Sequence, residues 1–254
     1  KKAVESQSFA VMVSQELKIA KNIQKSIIPN QMPEDDKWKV AVTYQPMQSV
    51  GGDFFDFCMD NEGGLGVIVA DVSGHGVPAA LISAMLKVAF SSAREYVKNP
   101  EEMMQRIFFS LQDKLGGNFI TISYFYLRPD AKSLIHANAG HPPLFIYRKN
   151  TDDFLLSRPK GSLLGGLAKI YKFEIQEIQI EPNDRMIFYT DGVIESRDPR
   201  GIMIDEEGMQ SFLRKHKETS LGEIPLEMEK YVLKWSGKKD FEDDFTFGMV
   251  EISS

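Results

Sequence analysis

The sequence predicts an α+β fold built on antiparallel sheets. Apolar segments of strand length follow one another through short turns, whereas helical patterns occur in separate blocks instead of alternating with single strands. Turn-forming pairs such as Asn99-Pro100 and Glu181-Pro182 separate these segments. With 254 residues, of which 43% are hydrophobic, the chain is long enough to bury an extended core.

The first half of the chain predicts three strands and then two helices. The alternation of Val40, Val42 and Tyr44 indicates a strand, and two continuous apolar runs follow it. Pro78 is tolerated in the first turn of the longer helix. The expected elements are, in order, strands at 40–44, Phe54–Met59 and 65–70 and helices at 77–97 and 101–115.

The second half of the chain is dominated by strand patterns. Proline-containing turns at 128–130 and 141–143 separate the first of them. The expected elements are strands at 119–127, 133–137, 144–147, 173–180 and 186–190, helices at Asp205–Lys215 and 221–235, and a last strand at Phe245–Ile252.

A helical pattern at 5–28 precedes all of these elements and ends at Pro29 and Pro33. Its apolar stripe comprises Phe9, Met12, Val13, Leu17, Ile19, Ala20, Ile23 and Ile27. Two interpretations stay open: the helix packs on its own domain, or it is a coiled-coil signalling linker. Glu16 or Gln24 interrupts either heptad frame.

The chain is therefore divided into a linker helix at 1–30 and a main domain at 31–254. We expect the helix to mediate a homodimer. Because the sequence begins Lys1-Lys2 without a methionine, we also expect it to be a fragment whose upstream sensor domain is missing.

Charge and cysteine content exclude several classes of protein. The 36 acidic and 30 basic residues give a net charge of −6, which argues against binding nucleic acid through bulk charge. Cys58 is the single cysteine, so no disulfide within the chain can form and a reducing compartment is expected. The most apolar stretch, 77–93, contains Lys87 and is shorter than the roughly 20 residues that span a bilayer. We expect a cytoplasmic protein, or the cytoplasmic domain of a larger, membrane-bound one.

Four aspartates lie where apolar strands end or turn: Asp53, Asp71, Asp191 and Asp243. Each by itself is explained by the frequency of aspartate in turns. Together they indicate a shared cluster, in which the carboxylates would repel one another unless a cation neutralised them. Ligands that are all oxygen favour Mg²⁺ or Mn²⁺ over Zn²⁺.

Other catalytic chemistries find little support in the sequence. Cys58 has Gly64 where a cysteine phosphatase needs an arginine, and no phosphate-binding glycine loop or Gly-x-Ser-x-Gly elbow is present. His75 lies in a glycine-rich loop after Asp71. Two roles stay open for it: a general acid or base, or a side chain that braces the turn. His141 is interpreted as a structural turn residue.

Five motifs occur in order along the chain: Val50-Gly-Gly-Asp-Phe-Phe-Asp56, Ala70-Asp-Val-Ser-Gly-His-Gly76, Asn138-Ala-Gly-His-Pro-Pro143, Tyr189-Thr-Asp-Gly-Val-Ile-Glu195 and Asp243-Asp-Phe-Thr246. Together they resemble the bacterial metal-dependent serine/threonine phosphatases of the SpoIIE/RsbU group, a branch of the PP2C-like superfamily. The resemblance covers 17–252.

This resemblance implies an α-β-β-α sandwich with a centre of two Mn²⁺ or Mg²⁺ ions at one end. Asp71 would bridge both ions, and the backbone carbonyl of Val72 would bind one of them. Asp53 would hold the first ion, partly through water, and Asp191 and Asp243 would hold the second.

Two further acids are treated separately. Asp244 would support the ligands or the turn. Asp56 is an uncertain ligand, because an extended segment from Asp53 to Cys58 would point Asp53 and Asp56 in opposite directions.

The implied reaction is hydrolysis of phosphoserine or phosphothreonine by a metal-bridged water that attacks phosphorus in line. The eukaryotic PP2C branch has a histidine two residues after the bridging aspartate, whereas His75 lies four after Asp71 and is kept only as a candidate proton donor. No arginine here matches the phosphate-binding arginine of that branch. The expected substrate is a phosphorylated regulatory protein resembling anti-sigma-factor antagonists.

The alternative is an inactive phosphatase fold that serves as a binding or dimerisation module of a signalling protein. The presence of an acid at all four ligand positions argues against it.

Overall fold

Two antiparallel sheets packed face to face form the centre of the computed structural model, which describes residues 2–165 and 171–253. One sheet contains, in spatial order, β1 (Glu34–Asp35), β2 (Trp38–Gln45), β11 (Phe245–Ile252), β10 (Asp184–Tyr189), β7 (Leu144–Arg148) and β8 (Asp153–Ser157). The other contains β3 (Phe54–Met59), β4 (Leu65–Val72), β5 (Ile120–Leu127), β6 (Ser133–Ala139) and β9 (Ile175–Gln179).

The space between the sheets is filled by apolar side chains from both of them. Trp38 from the first sheet and Val67 from the second are fully buried there, and the rings of Phe125 and Phe188 meet across the interface. Burial of this apolar surface is the main force that holds the two sheets together.

Helices cover the outer face of each sheet. The five-stranded sheet is covered by α2 (Val77–Ser92) and α3 (Pro100–Leu111), and the six-stranded sheet by α5 (Asp205–Lys215) and α6 (Ile224–Ser236). A single turn, α4 (Asp191–Ile194), follows β10. The expected α+β fold, an α-β-β-α sandwich, is therefore confirmed.

The prediction of one helix over 77–97 is wrong at its C-terminal end. The helix stops at Ser92 because the N–H of Ala93 is shared between two carbonyls of the preceding turn, and a short 3-10 turn at Arg94–Tyr96 follows. The helix predicted at 101–115 likewise ends early, at Leu111, because Gln112 leaves the helical region with a ψ of 144°; Asp113 follows in a left-handed conformation with a φ of 62°.

Strand β8 and helix α4 were not predicted. Strand β8 pairs with β7 in a hairpin whose turn places Asp152 at a φ of 59°, which aspartate tolerates. Its apolar run is only Phe154-Leu155-Leu156, too short to be distinguished from a loop by its pattern. Helix α4 is one turn long and has no helical periodicity to detect.

The N-terminal helix α1 (Lys2–Ile27) has two different faces. On one face Leu17 is half-buried and Gln24 is buried, and the helix contacts α2. On the other face Ile19 and Ile23 are 59% and 58% exposed. The helix thus packs on its own domain and still presents an apolar face, while the side chain of Phe9 lies outside the described residues.

Candidate metal centre

The four predicted ligand aspartates come from strand ends that meet at one edge of the sandwich. In the five-stranded sheet Asp53 precedes β3 and Asp71 lies at the end of β4, and these strands are antiparallel neighbours with Phe54 opposite Ala70. In the six-stranded sheet the end of β10 lies beside the start of β11. Asp191 and Asp243 are therefore brought to the same edge, one after β10 and one before β11.

Asp53 is the most buried of these acids, with 1% of its surface exposed. Its Oδ2 accepts hydrogen bonds of 2.6 Å from the hydroxyls of both Thr190 and Thr246, which belong to the opposite sheet. Burial, and then the charges of Asp71 and Asp244, raise the pKa of Asp53, whereas the two hydroxyls lower it. The threonines thus fix one oxygen of Asp53.

The carboxylates of Asp71 and Asp191 lie within electrostatic reach of further acids. Burial, followed by the charges of Asp191, Asp243 and Asp244, raises the pKa of Asp71 to about 7. Burial and the charge of Asp243 likewise raise the pKa of Asp191 to about 6. Such repulsion destabilises the charged forms, and a bound divalent cation would reverse it.

The backbone carbonyl of Val72 reaches this edge because Gly52 has no side chain. A Cβ on Gly52 would lie 2.6 Å from the Val72 oxygen. The same requirement holds at Gly192, where a Cβ would overlap the carbonyl oxygen of Asp244. Two glycines of the sequence motifs therefore let neighbouring backbone segments approach closely, one pair at the end of each sheet.

The donors at this edge fit a hard divalent cation by their chemistry. Carboxylates and a carbonyl are all-oxygen ligands, which Mg²⁺ and Mn²⁺ prefer. Within residues 2–165 and 171–253, however, no group of three or more His, Cys, Asp or Glu side chains is arranged so that it could hold a metal ion.

Asp244 holds the loop that carries Asp53. Its carboxylate is buried and accepts backbone N–H bonds from Met47 at 2.7 Å and from Gly52 at 2.6 Å. Asp243 is exposed and its Oδ1 accepts the N–H of Asp244 at 2.8 Å. The two neighbouring acids therefore have different surroundings: Asp243 faces the other carboxylates and Asp244 faces backbone donors.

We predict that Asp243→Asn reduces metal-dependent activity more than Asp244→Asn. The first change removes a charge from the proposed ligand set, whereas the second replaces an acceptor of backbone bonds and acts through loop position and stability. The measurement is Mn²⁺-dependent phosphate release and the apo melting temperature of both variants. A more severe loss of activity at Asp244 than at Asp243 would contradict the ligand assignment.

The structure keeps Asp56 apart from this edge. Its carboxylate forms an ion pair of 2.6 Å with the Lys87 ammonium beneath α2. Asp56 is thus engaged by a helix on the outer face of its sheet, as expected if it points away from Asp53.

His75 is exposed and His141 is buried. The Nδ1 of His75 lies 3.0 Å from the side-chain amide of Gln48, outside the cleft described below. The Nε2–H of His141 donates to the Tyr189 carbonyl at 2.9 Å, and its Nδ1 accepts from the Thr121 hydroxyl at 2.8 Å. Burial lowers the pKa of His141 to about 4, so the imidazole is neutral and ties the two sheets together.

A cleft of about 600 Å³ opens beside the aspartates. Asp71, Asp191 and His141 line it, and so do two basic residues, Arg158 and Lys160. Sequence reasoning missed these two residues. The sequence offered only an Arg-Pro-Lys segment directly before Gly161. A segment this short cannot be assigned to the cleft until the fold is known.

Comparisons with known proteins identify the family and the fold of the chain. Residues 61–253 match the family model described as Stage II sporulation protein E (SpoIIE). The chain is 27% identical over 237 residues to the phosphoserine phosphatase RsbU of Bacillus subtilis. The aligned region covers 92% of this chain and 69% of RsbU. None of the helices in the described ranges is long and apolar enough to cross a membrane.

Two solved structures share the fold at low sequence identity. The SiaA-PP2C domain of Pseudomonas aeruginosa has a TM-score of 0.83 at 19% identity and covers 95% of this chain and 98% of that chain. The second structure is the catalytic domain of the serine/threonine protein phosphatase PstP in complex with 2 manganese ions. It has a TM-score of 0.61 at 10% identity, and the match covers 86% of this chain and 99% of that chain. With the family match extending over most of its length, the chain belongs to the SpoIIE family and has the PP2C fold.

Proposed function

We propose that this domain is a metal-dependent phosphatase that hydrolyses phosphoserine or phosphothreonine on a regulatory protein. The observation that carries the proposal is the convergence of Asp53, Asp71, Asp191 and Asp243 at one edge of the sandwich, beside an open cleft. The names of two similar proteins support it: RsbU is a phosphoserine phosphatase, and PstP is a serine/threonine protein phosphatase in complex with manganese.

The proposed ligands are these four aspartates and the Val72 carbonyl, for two Mn²⁺ or Mg²⁺ ions. When bound, such ions acidify a water and neutralise charge on the phosphate. The chain's own residues position the ligands: Thr190 and Thr246 fix Asp53, and Asp244 fixes the backbone before it. His75 stays a candidate proton donor only, since its ring lies at the surface against Gln48.

The substrate is expected to be a folded phosphoprotein resembling an anti-sigma-factor antagonist. The cleft is wide and open, and the sequence has no phosphate-binding loop for a nucleotide. Selectivity would then come from docking of a protein partner around the cleft. An inactive binding module is the alternative, and the intact set of acids argues against it.

We predict Mn²⁺-dependent phosphate release that is faster from a phosphoserine protein than from small phosphate esters or nucleotides. The measurement compares phosphate release from the three substrate types with Mn²⁺, with Mg²⁺ and with excess chelator. Efficient turnover of nucleotides without any turnover of phosphoproteins would contradict the substrate class. Activity that persists in chelator would contradict the use of a metal.

We further propose that α1 mediates a homodimer. Its exposed apolar residues Met12, Ile19 and Ile23 are spaced, with Glu16, at alternating intervals of four and three residues, the spacing of a coiled-coil seam. The opposite face is occupied by its own domain. The two functions of the helix therefore use different faces.

The helix also contacts the loop of the proposed centre. The side-chain amide of Gln24 donates to the Gly51 carbonyl at 2.6 Å and accepts the Gly51 N–H at 3.1 Å. Gly51 lies next to Gly52, whose N–H is bound by Asp244. We propose that a shift of α1 on dimerisation biases the position of this loop and hence the catalytic state.

We predict that the double change Ile19→Ser and Ile23→Ser converts a dimer into a monomer, since it removes two exposed apolar contacts from the seam. Leu226→Ser, on the exposed face of α6, is the matched control and should leave the dimer intact. Light scattering coupled to size exclusion reports the mass, and a chain beginning at Pro29 should also be monomeric. Monomeric behaviour of the intact chain would contradict the dimer.

A further inference from the structure

Two basic side chains line the cleft together with its aspartates, and both are more exposed than Asp71 and Asp191. Arg158 and Lys160 follow β8 and line the same cleft as Asp71 and Asp191. The side chain of Arg158 is 61% exposed and Lys160 is also exposed. Both therefore reach solvent at the rim of the cleft rather than its floor.

The backbone that carries these cations is fixed by contacts on both sides. Gly161 lies against the end of β6 so closely that a Cβ would overlap the Asn138 carbonyl oxygen. The N–H of Lys160 donates to a carboxylate oxygen of Glu174 at 3.2 Å, and its carbonyl accepts the Glu174 N–H at 2.8 Å. The rim is thus part of the folded frame of the cleft.

The Arg158 guanidinium is oriented by an ion pair of 2.6 Å with Glu206. In the part of the chain that the structure describes, the Lys160 ammonium forms no ion pair. The protein as a whole has a net charge of −6, and Glu195 adds a further acid to the cleft. Attraction of an anionic partner to this face therefore depends on local positive charge at the rim.

We propose that Arg158 and Lys160 bind acidic side chains that flank the phosphorylated residue of the protein substrate. The proposal rests on the proposed function, because it places the phosphoryl group at the aspartates on the floor. A phosphoryl group bound there leaves the neighbouring substrate residues at the rim. Carboxylates are the groups that an arginine and a lysine there would recognise. The partner is accordingly a phosphoprotein segment rich in aspartate or glutamate.

The test compares two phosphoserine peptides and one small phosphate ester, with Mn²⁺, on the intact chain. One peptide has acidic residues on either side of the phosphoserine and the other has asparagine and glutamine there. The variants are the double change Arg158→Ala and Lys160→Ala, and the matched control Arg106→Ala. Arg106 is an exposed arginine on α3 that pairs with Glu102 at 2.8 Å and does not line the cleft.

We expect the double variant to lose about tenfold in kcat/KM for the acidic peptide, because two exposed charge pairs together typically contribute a factor of that order. It should turn over the neutral peptide and the small ester like the wild type, and added salt should reduce the wild-type preference for the acidic peptide. Equal losses on all three substrates, or no loss on the acidic peptide, would overturn the inference. A wild type that hydrolyses none of them overturns the proposed function itself.

Discussion

Replacement of Asp71 by asparagine is expected to reduce phosphatase activity by at least about 10²-fold in a protein that remains folded, because central electrostatic elements typically contribute that much. Asp71 lies at the end of β4 and is expected to bind both cations, so its charge matters more than that of a ligand to one ion. Asparagine keeps the shape of the side chain but removes the charge and one strong metal-binding oxygen.

The same change is expected to raise the melting temperature of the metal-free protein, or leave it unchanged. The pKa of Asp71 is raised from 3.8 to about 7 in the folded state, so the native protein binds more protons than the unfolded chain between these values. Its contribution to stability therefore falls as the pH rises through that window. The advantage of Asp71→Asn over the wild type should grow from about pH 4 to about pH 7 and then level off.

Thermal melts in chelator at pH 5 and pH 8 measure this difference. His136 and His141, whose pKa values are lowered by burial, change stability in the opposite direction with pH, but they do so equally in both proteins. Asp36→Asn, at an exposed position in the turn before β2, is the isosteric control and should change neither melting nor activity. Turnover close to wild type by Asp71→Asn would refute the two-metal proposal.

Gly192→Ala is the second change with a large expected effect. Gly192 is buried in α4, and a Cβ there would overlap the backbone carbonyl oxygen of Asp244 and lie 3.5 Å from the Cβ of Asp243. Because the obstacle is backbone, the strand ends must separate. The expected cost is about 1–3 kcal/mol or more of the free energy of unfolding. Activity should fall further than stability explains, because Asp191 and Asp243 move apart.

Gly222→Ala is the matched control for this substitution. A Cβ on Gly222 meets no atom within 4 Å, so the change should stay within about 0.5 kcal/mol of the wild type. Urea unfolding and Mn²⁺-dependent phosphate release of both variants are the measurements. If Gly192→Ala proves as stable and as active as Gly222→Ala, the close approach of the ends of β10 and β11 is not required.

The positions of the four aspartates illustrate what sequence alone predicts well. Each of them lies next to an apolar run, and an antiparallel neighbour brings two strand ends to one edge. The resemblance to the family adds the expectation that two such sheets pack face to face, with their aspartates at the same end. What the sequence does not contain is the distance between carboxylates, which depends on how the sheets pack.

The missed features depend on contacts between residues far apart in the chain. Thr190 and Thr246 look like ordinary strand residues until the fold places their hydroxyls on Asp53 from the opposite sheet. Arg158 and Lys160 become part of a cleft only because β8 exists, and β8 is stabilised by its pairing with β7 and not by a strong local pattern.

The N-terminal helix shows that one apolar pattern can supply more than a single packing face. A stripe that includes Leu17 and Ile19 is wider than one packing face requires, and the structure divides it between its own domain and solvent. The periodicity predicts the helix, but only its packing shows which apolar residues are left exposed.

The most direct test of the central claim is a titration of the intact chain with Mn²⁺, following phosphate release from a phosphoserine peptide. We expect no release without metal, saturable activation by Mn²⁺, full reversal by chelator, and no activation of Asp71→Asn over the range that saturates the wild type. Release that is independent of Mn²⁺, or equal activation of Asp71→Asn, would contradict it.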